Sequence, residues 1–352
     1  MSSGARMRRT SVPTITSVTL ASIDLDSVAV STPTAAAQTR PEDLEPYRRE
    51  LNGYCYRMLG SAFEAEDAVQ DTMVRAWKAI DSFEGRSSVR SWLYRIATNV
   101  CLDMLRGRQR RARPMDLGPA QTAETFHGVT LPEHAWVQPI PDDRVLPGDA
   151  DPAELAVAKE TIRLAFVTAL QVLPARQRAV LILREVLRWQ ATEVAELLDT
   201  SVASVNSALQ RARATLASHD LGAPQEALVD ADQQALVARY VDAFERYDIA
   251  ALTALLRDDA IMSMPPYDFW LRGAAEMSKW FLGPGSGCRG SRLVPVSANG
   301  CPAFASYRAD PEGGHTAFSI QVLEISGDRI VGHHNFVDTE LFAAFDLPIH
   351  LP

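Results

Sequence analysis

Apolar residues recur at helical spacing in the first third of the chain. Leu44, Tyr47, Leu51, Tyr54, Cys55, Met58 and Leu59 form one stripe at spacings of three and four. Ala65, Val69, Met73, Ala76, Trp77 and Ile80 form a second, and Trp92, Leu93, Ile96, Val100, Met104 and Leu105 a third. The third stripe runs into Arg106, Arg108, Arg110, Arg111 and Arg113, and Pro114 stops it. No period is visible over 114–151, so this stretch reads as an extended acidic linker. Its first 37 residues hold six prolines, six acidic residues and Arg144 as the one basic residue. Helical stripes return over 152–218: Leu155, Ile162, Phe166, Leu170 and Leu173, closed by Pro174, and then Val202, Val205, Leu209, Ala212 and Leu216. Beyond residue 228 the pattern changes again. Two helical stretches, Leu236–Phe244 and Ala250–Leu256, precede strand-like runs at Ala260–Met264, Leu293–Ser297, Phe304–Tyr307, Thr316–Ile325 and Arg329–Val337. The predicted fold is multidomain: all-α bodies over 41–113 and 152–218, and an α+β body over 228–352.

The 352 residues are 47% hydrophobic and 22% charged, which excludes wholesale disorder, and no apolar run is long enough to span a membrane. Cys55, Cys101, Cys288 and Cys301 are scattered without a CxxC pair, which fits a reducing cytoplasm better than a disulfide framework or a zinc knuckle. Residues 1–40 open with Arg6, Arg8 and Arg9, but Thr14, Thr16, Ser17, Thr19 and Ser22 break the apolar stretch. They read as a disordered tail rather than an export signal, with Met7 as a second candidate start. The net charge is −9, so nucleic-acid binding requires local basic patches. Residues 228–352 carry 9 basic and 16 acidic residues, or −7, and are a poor nucleic-acid surface.

The sharpest local signal is 190–217. A short helix, Ala191–Leu198, leads through Asp199-Thr200 to Ser201, an N-cap for the next helix. That helix sets an apolar edge against a face with Ser204, Asn206, Ser207, Gln210, Arg211 and Arg213. Such helix-turn-helix patterning presents amide, hydroxyl and guanidinium groups that match base edges and phosphates. A plain αα-hairpin with a solvated face has the same pattern. The Arg106–Arg113 cluster suggests a nearby anion or a solvated helix end, and Asp67, Gln70, Asp71, Arg75 and Lys78 mark the polar side of the 64–80 helix.

Together these segments resemble a known family. "AEDAVQDTMVRAW", "SFEGRSSVRSWLYRIATNVCLDMLR", "LPARQRAVLILREV" and "SVASVNSALQRARATL" are similar, in order and separation, to regions 2 and 4 of sigma factors of the extracytoplasmic-function (ECF) group. The resemblance implies a transcription-initiation role in which the polymerase supplies the catalysis, and no cofactor or metal. It places Asp67, Gln70, Asp71 and Arg75 on the clamp of the largest subunit of core RNA polymerase, with the polymerase flap as a second contact. It places Phe83, Arg86, Ser87, Arg90, Trp92, Arg95 and Asn99 at a flipped base of the −10 promoter element, and Arg106, Arg108, Arg110 and Arg111 at phosphates. Ser204, Asn206, Ser207, Gln210 and Arg211 fall opposite the −35 element. Asn206 departs from the Arg or Lys common there. The linker is similar to the connector that runs along the polymerase's RNA path.

Residues 228–346, with "GDRIVGHHNFVDTELFAAFDLP" as the best string, resemble the SnoaL-like cones of the nuclear transport factor 2 superfamily. The resemblance implies a pocket, with Met264, Tyr267, Trp270, Trp280, His334 and Phe336 as candidate lining, although such residues also make ordinary core. His333 and His334 are adjacent, so on a strand at most one enters a pocket. A small molecule in the cone and an anti-sigma factor stand as further candidate partners. The expected arrangement is regulation of the helical domains in cis by the cone. The rival readings are a stand-alone helix-turn-helix regulator with a sensing domain, and an enzyme with its site in the cone.

Overall fold

The computed structural model describes residues 40–85, 87–148, 150–217 and 230–352. The expectations for residues 1–39, for Arg86 and for the 218–229 connection lie outside the described residues. Among the described residues no helix is long and apolar enough to cross a membrane.

A short 3-10 turn, Pro41–Tyr47, leads into α1 (Arg48–Leu59), α2 (Ala62–Ala79) and α3 (Val89–Met104). Gly60 ends α1 in the left-handed region at φ 72°, and its lack of a side chain lets Gln171 and Arg111 approach. Ser61 caps α2 by accepting from the Glu64 amide at 3.2 Å, and Ser88 caps α3 by accepting from the Ser91 amide at 3.0 Å. The arginine run lies beyond α3 rather than within it: the helix stops at Met104, and Gly107 turns the chain at φ 76°.

The 114–151 segment is irregular, as its sequence suggests, but it is docked rather than extended. In and between its short 3-10 turns, Ala123, Trp136, Val137, Gln138, Ile140, Val145 and Leu146 are buried. Isolated bridges pair Gln121 with Leu271, Thr130 with Tyr267 and Pro141 with Ala298 in the C-terminal body. A periodic stripe was absent because each anchor is a separate contact, not one face of an element.

Next come α4 (Pro152–Glu160), α5 (Leu164–Gln171), α6 (Ala175–Leu181, continued by a π turn to Val186), α7 (Ala191–Leu197) and α8 (Val202–Ala217). Asp151 caps α4, accepting from the Ala153 and Glu154 amides at 2.8 and 2.9 Å. Between α7 and α8, Asp199 takes the left-handed turn conformation at φ 48°, and Ser201 caps α8 by accepting from the Ser204 amide at 3.1 Å.

The C-terminal body begins with α9 (Asp230–Glu245) and α10 (Ile249–Ala254), then β1 (Leu256–Ser263), β2 (Trp270–Arg272) and α11 (Ala274–Leu282). It continues as β3 (Arg292–Ala298), β4 (Cys301–Ala309), β5 (His315–Ser326), β6 (Arg329–Phe336), α12 (Leu341–Ala344) and β7 (His350–Leu351). The sheet order is β2-β1-β6-β5-β4-β3, with β7 on β5. The β1–β6 pair is parallel and the rest are antiparallel. All five anticipated strands are present. The short β2, α11 and β7 had no pattern long enough to read.

The sheet has two buried faces, assigned by the period of two except where the β5–β6 register shifts between Glu324 and Ile325. Met262, Phe304, Leu323 and Ile330 share a core with Tyr240 and Phe244 of α9 and Met277, Trp280 and Phe281 of α11. Ala303, Ala305, Ile320, Val322 and Phe336 face the other way and join the core of α1–α8. The described residues therefore fall into a single compact unit.

Candidate functional site

On α2, Asp67, Gln70, Asp71 and Arg75 are all exposed, and Asp71 and Arg75 pair at 3.3 Å. The apolar stripe gave Trp77 to the core, yet it is 61% exposed and lies beside this polar face with Val74. The helix thus leaves a large apolar ring in water beside its polar face. A hydrophobicity count could not separate it from its buried neighbour Ala76.

On α3 and the loop before it, Phe83 packs on Trp92 with ring centroids 4.8 Å apart, and Ser87 and Asn99 are exposed. The two described arginines are engaged. Arg90 donates to both carboxylate oxygens of Glu50 at 3.1 and 3.0 Å. Its guanidinium lies 5.3 Å from the Tyr94 ring and 5.4 Å from the Trp189 ring. Arg95 donates to the carbonyl of Glu196, in the last turn of α7, at 2.9 Å.

The basic cluster divides. Arg106 is exposed beside Asp103, Arg110 is exposed, and Arg108 reaches Glu64. Arg111 is 6% exposed and cannot face a phosphate in this arrangement. It donates to the carbonyls of Glu133 and Trp136 at 3.0 and 2.6 Å and pairs with Glu64 at 2.9 Å. Its task here is to pin the linker to α2.

On α8 the face is open. Ser204, Asn206, Gln210 and Arg211 are exposed and Ser207 is half-buried, while Val205, Leu209, Ala212 and Leu216 face inward. Arg211 donates to Ser207 on its own helix at 2.8 Å.

Two buried arginines that pattern reading passed over join the helical bodies. Arg57 of α1 donates to the carbonyl and hydroxyl of Thr161 at 3.1 and 2.7 Å. Arg178 of α6 reaches the Met58 carbonyl and donates to Gln171 Oε1 at 2.6 Å and to the carbonyls of Gln171 and Leu173 at 3.1 Å. Burial lowers both guanidinium groups to about 10. Such groups are tolerated because hydrogen bonds satisfy much of each fork.

The sharpest junction is the β3–β4 turn. Asn299 and Gly300 have φ of 55° and 70°, the positive pair of a two-residue hairpin. Asn299 is fully buried, and its side-chain amide donates to Tyr56 Oη and to the Ile162 carbonyl, both at 2.6 Å. Its Oδ1 accepts from the Ile140 amide at 3.1 Å, and its own amide donates to the Ile140 carbonyl at 3.2 Å. Tyr56 Oη donates onward to the Gln138 carbonyl at 2.8 Å. One side chain thus ties the C-terminal body to α1, to the linker and to the turn before α5. At Gly300 any Cβ would stand 2.8 Å from the Lys159 Cβ, and the Gly300 amide donates to Asp142 Oδ1 at 2.7 Å. Burial pushes the Asp142 carboxyl up to about 6, against the Gly300 amide and the Lys159 ammonium. The Asn-Gly dipeptide between two apolar runs was the available signal.

The six candidate pocket residues do not line one pocket. Tyr267 and Trp280 belong to an aromatic cluster with Phe269, into which the linker's Phe126 inserts. Met264 is buried in the helix-covered core. Trp270 donates from its indole to the Gly118 carbonyl at 2.9 Å. Phe336 and His334 are on the sheet face that meets the helical domains. There His334 bonds Ser263 at 2.8 Å and stands 3.6 Å from Glu324. Burial would raise the Glu324 carboxyl, but His334, Arg113 and Arg163 hold it down at about 2. The histidine on the helix-covered face is His333, bonded at 2.8 Å to the Tyr240 hydroxyl, which donates to Gln321. Burial, with His334 next, lowers His333 to about 3, so it is neutral at ordinary pH. Among the described residues no group of three or more His, Cys, Asp or Glu is placed to hold a metal ion.

Comparison with known proteins agrees with this division. Residues 44–111 match sigma-70 region 2, 163–216 match sigma-70 region 4, and 237–333 match a SnoaL-like domain. The ECF RNA polymerase sigma factor SigG of Mycobacterium tuberculosis (strain H37Rv) is 43% identical over 342 residues, covering 93% of this chain and 90% of that one. SigW of Bacillus subtilis (strain 168) is 33% identical over 170 residues, covering 48% of this chain and 82% of its own. The crystal structure of the M. tuberculosis ECF sigma factor SigJ shares the fold, with a TM-score of 0.57 at 21% identity, over 88% of this chain and 99% of that one. Region 2, region 4 and a SnoaL-like domain in one chain, aligned nearly end to end with such a relative, settle the family: the chain belongs to the ECF RNA polymerase sigma factors.

Proposed function

We propose that this sigma factor is held in a closed, self-inhibited form by its own C-terminal cone, and that opening precedes promoter reading. The observation that carries this is Asn299, which bonds region 2, the linker and the entry to region 4 at once. Arg95 bonded to Glu196 adds that α3 and α7 touch. Elements at −10 and −35 are about 25 base pairs apart, or about 85 Å along the duplex at ~3.4 Å per pair. With α3 on α7 and α7 packed on α8, the two helices assigned to these elements do not span that distance.

In this reading the working parts are 41–113, the linker 114–151, 152–218 and the cone 228–352. Asp67, Gln70, Asp71 and Arg75, with Trp77, meet core polymerase. Phe83, Arg86, Ser87, Arg90, Trp92, Arg95 and Asn99 read the −10 element, with Arg106, Arg108 and Arg110 toward phosphates. Ser204, Asn206, Ser207, Gln210 and Arg211 read the −35 element. The cone regulates rather than catalyses: His333 is held between buried partners, and Phe126 fills the aromatic recess. Acid meets base at this junction only in places, with Asp346 on Arg144 at 2.6 Å and Glu324 near Arg113 and Arg163. The larger part of the masking surface is the apolar outer face of the sheet, fixed by the Asn299 amide.

Run-off transcription with core polymerase tests this. Full-length protein should give weak promoter-dependent product, and Asn299→Ala should give more. Equal product from both, with both folded by circular dichroism, would overturn the closed-state reading.

A further inference from the structure

The linker enters the helix-covered core of the cone at Ala123, which is buried, and at Phe126, which is half-buried. Phe126 sets its ring edge-to-face against Trp280, Phe269 and Tyr267, with centroid distances of 4.9, 5.0 and 5.2 Å. The chain on either side of it stays outside: Thr125, His127, Gly128 and Val129 are exposed. The flanks are tied to the cone by hydrogen bonds, two of them from Gln121, whose side chain donates to the Asp268 carbonyl at 3.0 Å. The Gln121 amide donates to the Trp270 carbonyl at 2.9 Å, the Ala123 amide to Glu276 Oε2 at 3.1 Å, and the Leu131 amide to the Pro266 carbonyl at 2.9 Å. Deeper in the cone, Tyr240, Phe244, Phe281 and Phe304 fill the space with rings fixed on helices and strands. Tyr267 and Phe269 stand in the loop between β1 and β2 and Trp280 on α11, whereas Phe126 is brought to them by the linker.

We propose that the seat formed by Tyr267, Phe269 and Trp280 is a binding site for a planar aromatic small molecule, and that Phe126 is its built-in competitor. The chemistry of the class follows from the seat. Three ring walls select an uncharged aromatic body of one to two rings. The Glu276 carboxylate, which now accepts from the Ala123 amide, offers an acceptor for one N–H or O–H on the ligand's rim. Occupation by a ligand and occupation by Phe126 exclude one another. The same linker carries Gln138 and Ile140 to the Asn299 junction, so a ligand that displaces Phe126 favours whichever state has released the linker. When the linker leaves without a ligand, the three rings lose their cover, which opposes opening. A ligand removes that opposition. This coupling rests on the closed-state reading above, whereas the site itself does not.

The probe for the test is 1-naphthylamine, an uncharged planar two-ring aromatic with N–H donors whose emission shifts when it is desolvated. It is titrated into the full chain without polymerase or DNA. Phe126→Ala should bind one equivalent at least tenfold more tightly than wild type, and Phe126→Ala with Tyr267→Ala should lose that gain. In the unaltered protein, saturating probe should accelerate chymotrypsin cleavage after Phe126 at least severalfold, because the ring leaves its seat. This arm needs no variant to fold. Equal affinity for wild type and Phe126→Ala, or binding that leaves cleavage after Phe126 unchanged, overturns the site. Tighter binding to Phe126→Ala with faster cleavage, but no separation of regions 2 and 4 by interdomain fluorescence transfer, keeps the site and overturns its coupling to opening.

Discussion

Helices α3 and α8 are built alike and placed in opposite situations. Each is 16 residues long, starts at a serine cap, and sets an apolar face inward with polar groups outward. Yet Arg90 and Arg95 of α3 are spent on Glu50, Trp189 and the Glu196 carbonyl, whereas Asn206, Gln210 and Arg211 of α8 are exposed. The difference teaches where control acts. If α8 reads the −35 element and α3 the −10 element, as proposed above, the first needs no rearrangement of its face and the second needs α3 to part from α7. A closed form built this way holds back one DNA contact and leaves the other free.

The largest way to break the comparison is Asn299→Ala. It orphans the Ile140 amide and removes bonds to Tyr56 and Ile162, at a cost of about 2–3 kcal/mol, or roughly 30- to 150-fold in the closed–open equilibrium. Interdomain fluorescence transfer between labels on α2 and α8 should drop, and −10 binding should rise. The −35 affinity should stay unchanged. A parallel gain at both elements would show that α8 is restrained too.

Base reading sharpens it next. Asparagine pairs best with adenine and arginine with guanine, so Asn206→Arg should move −35 preference toward guanine at one position by about 1–3 kcal/mol. It should do so in the closed protein. Asn99→Ala should alter −10 discrimination by a similar amount only where the protein is open, as with core polymerase or with Asn299→Ala. An Asn99→Ala effect of the same size in the free, closed chain would contradict the masking of α3. Selection from randomised duplexes measures both.

These contrasts also mark what was legible. The inward stripe of α8 and its Ser201 cap lie within one helix, so periodicity and capping chemistry were enough. The core strands were readable for the same reason. Trp77 was misplaced because an indole counts as apolar wherever it points. Arg111 looked like its neighbours in the basic run because its partners, Glu64, Glu133 and Trp136, are 22 to 47 positions away. The alternation of His333 and His334 was plain, but alternation does not say which sheet face the helices cover. The Asn299 junction joins residues from four segments, and only the folded chain brings them together.

pH should move the same equilibrium. The Asp142 carboxyl beside the hairpin is raised from 3.8 to about 6 in the closed form, with Lys159 and Asp143 as its charged neighbours. A carboxyl raised in this way favours closure when protonated. Its contribution is fully present below 3.8 and is lost as pH rises through about 6. Taking the open form as unperturbed, acidification from pH 7 to pH 5 should favour closure by about tenfold. Asp142→Asn should flatten the profile of the fluorescence-transfer signal, and an unchanged profile would assign the pH dependence elsewhere.

The smallest effect separates α3 from α8 most directly. Arg95 donates to a carbonyl in the last turn of α7, where helix-end acceptors lack intrahelical partners and a cation also meets the negative end of the dipole. The bond is exposed, so its loss should cost only about 0.5–1.5 kcal/mol. Arg95→Ala should therefore open the free protein a few-fold in the absence of DNA. Arg211→Ala removes a guanidinium of the same charge from α8, where its bond is to Ser207 of its own helix. It should leave the distance between regions 2 and 4 unchanged while weakening −35 binding. Long-range charge repulsion would make the two substitutions act alike on closure, because each removes one positive charge. Only a direct α3–α7 contact makes them differ. Fluorescence transfer at two salt concentrations decides between these: a gap between the variants that persists at high salt belongs to the contact, and equal responses that fade with salt would assign closure to general electrostatics.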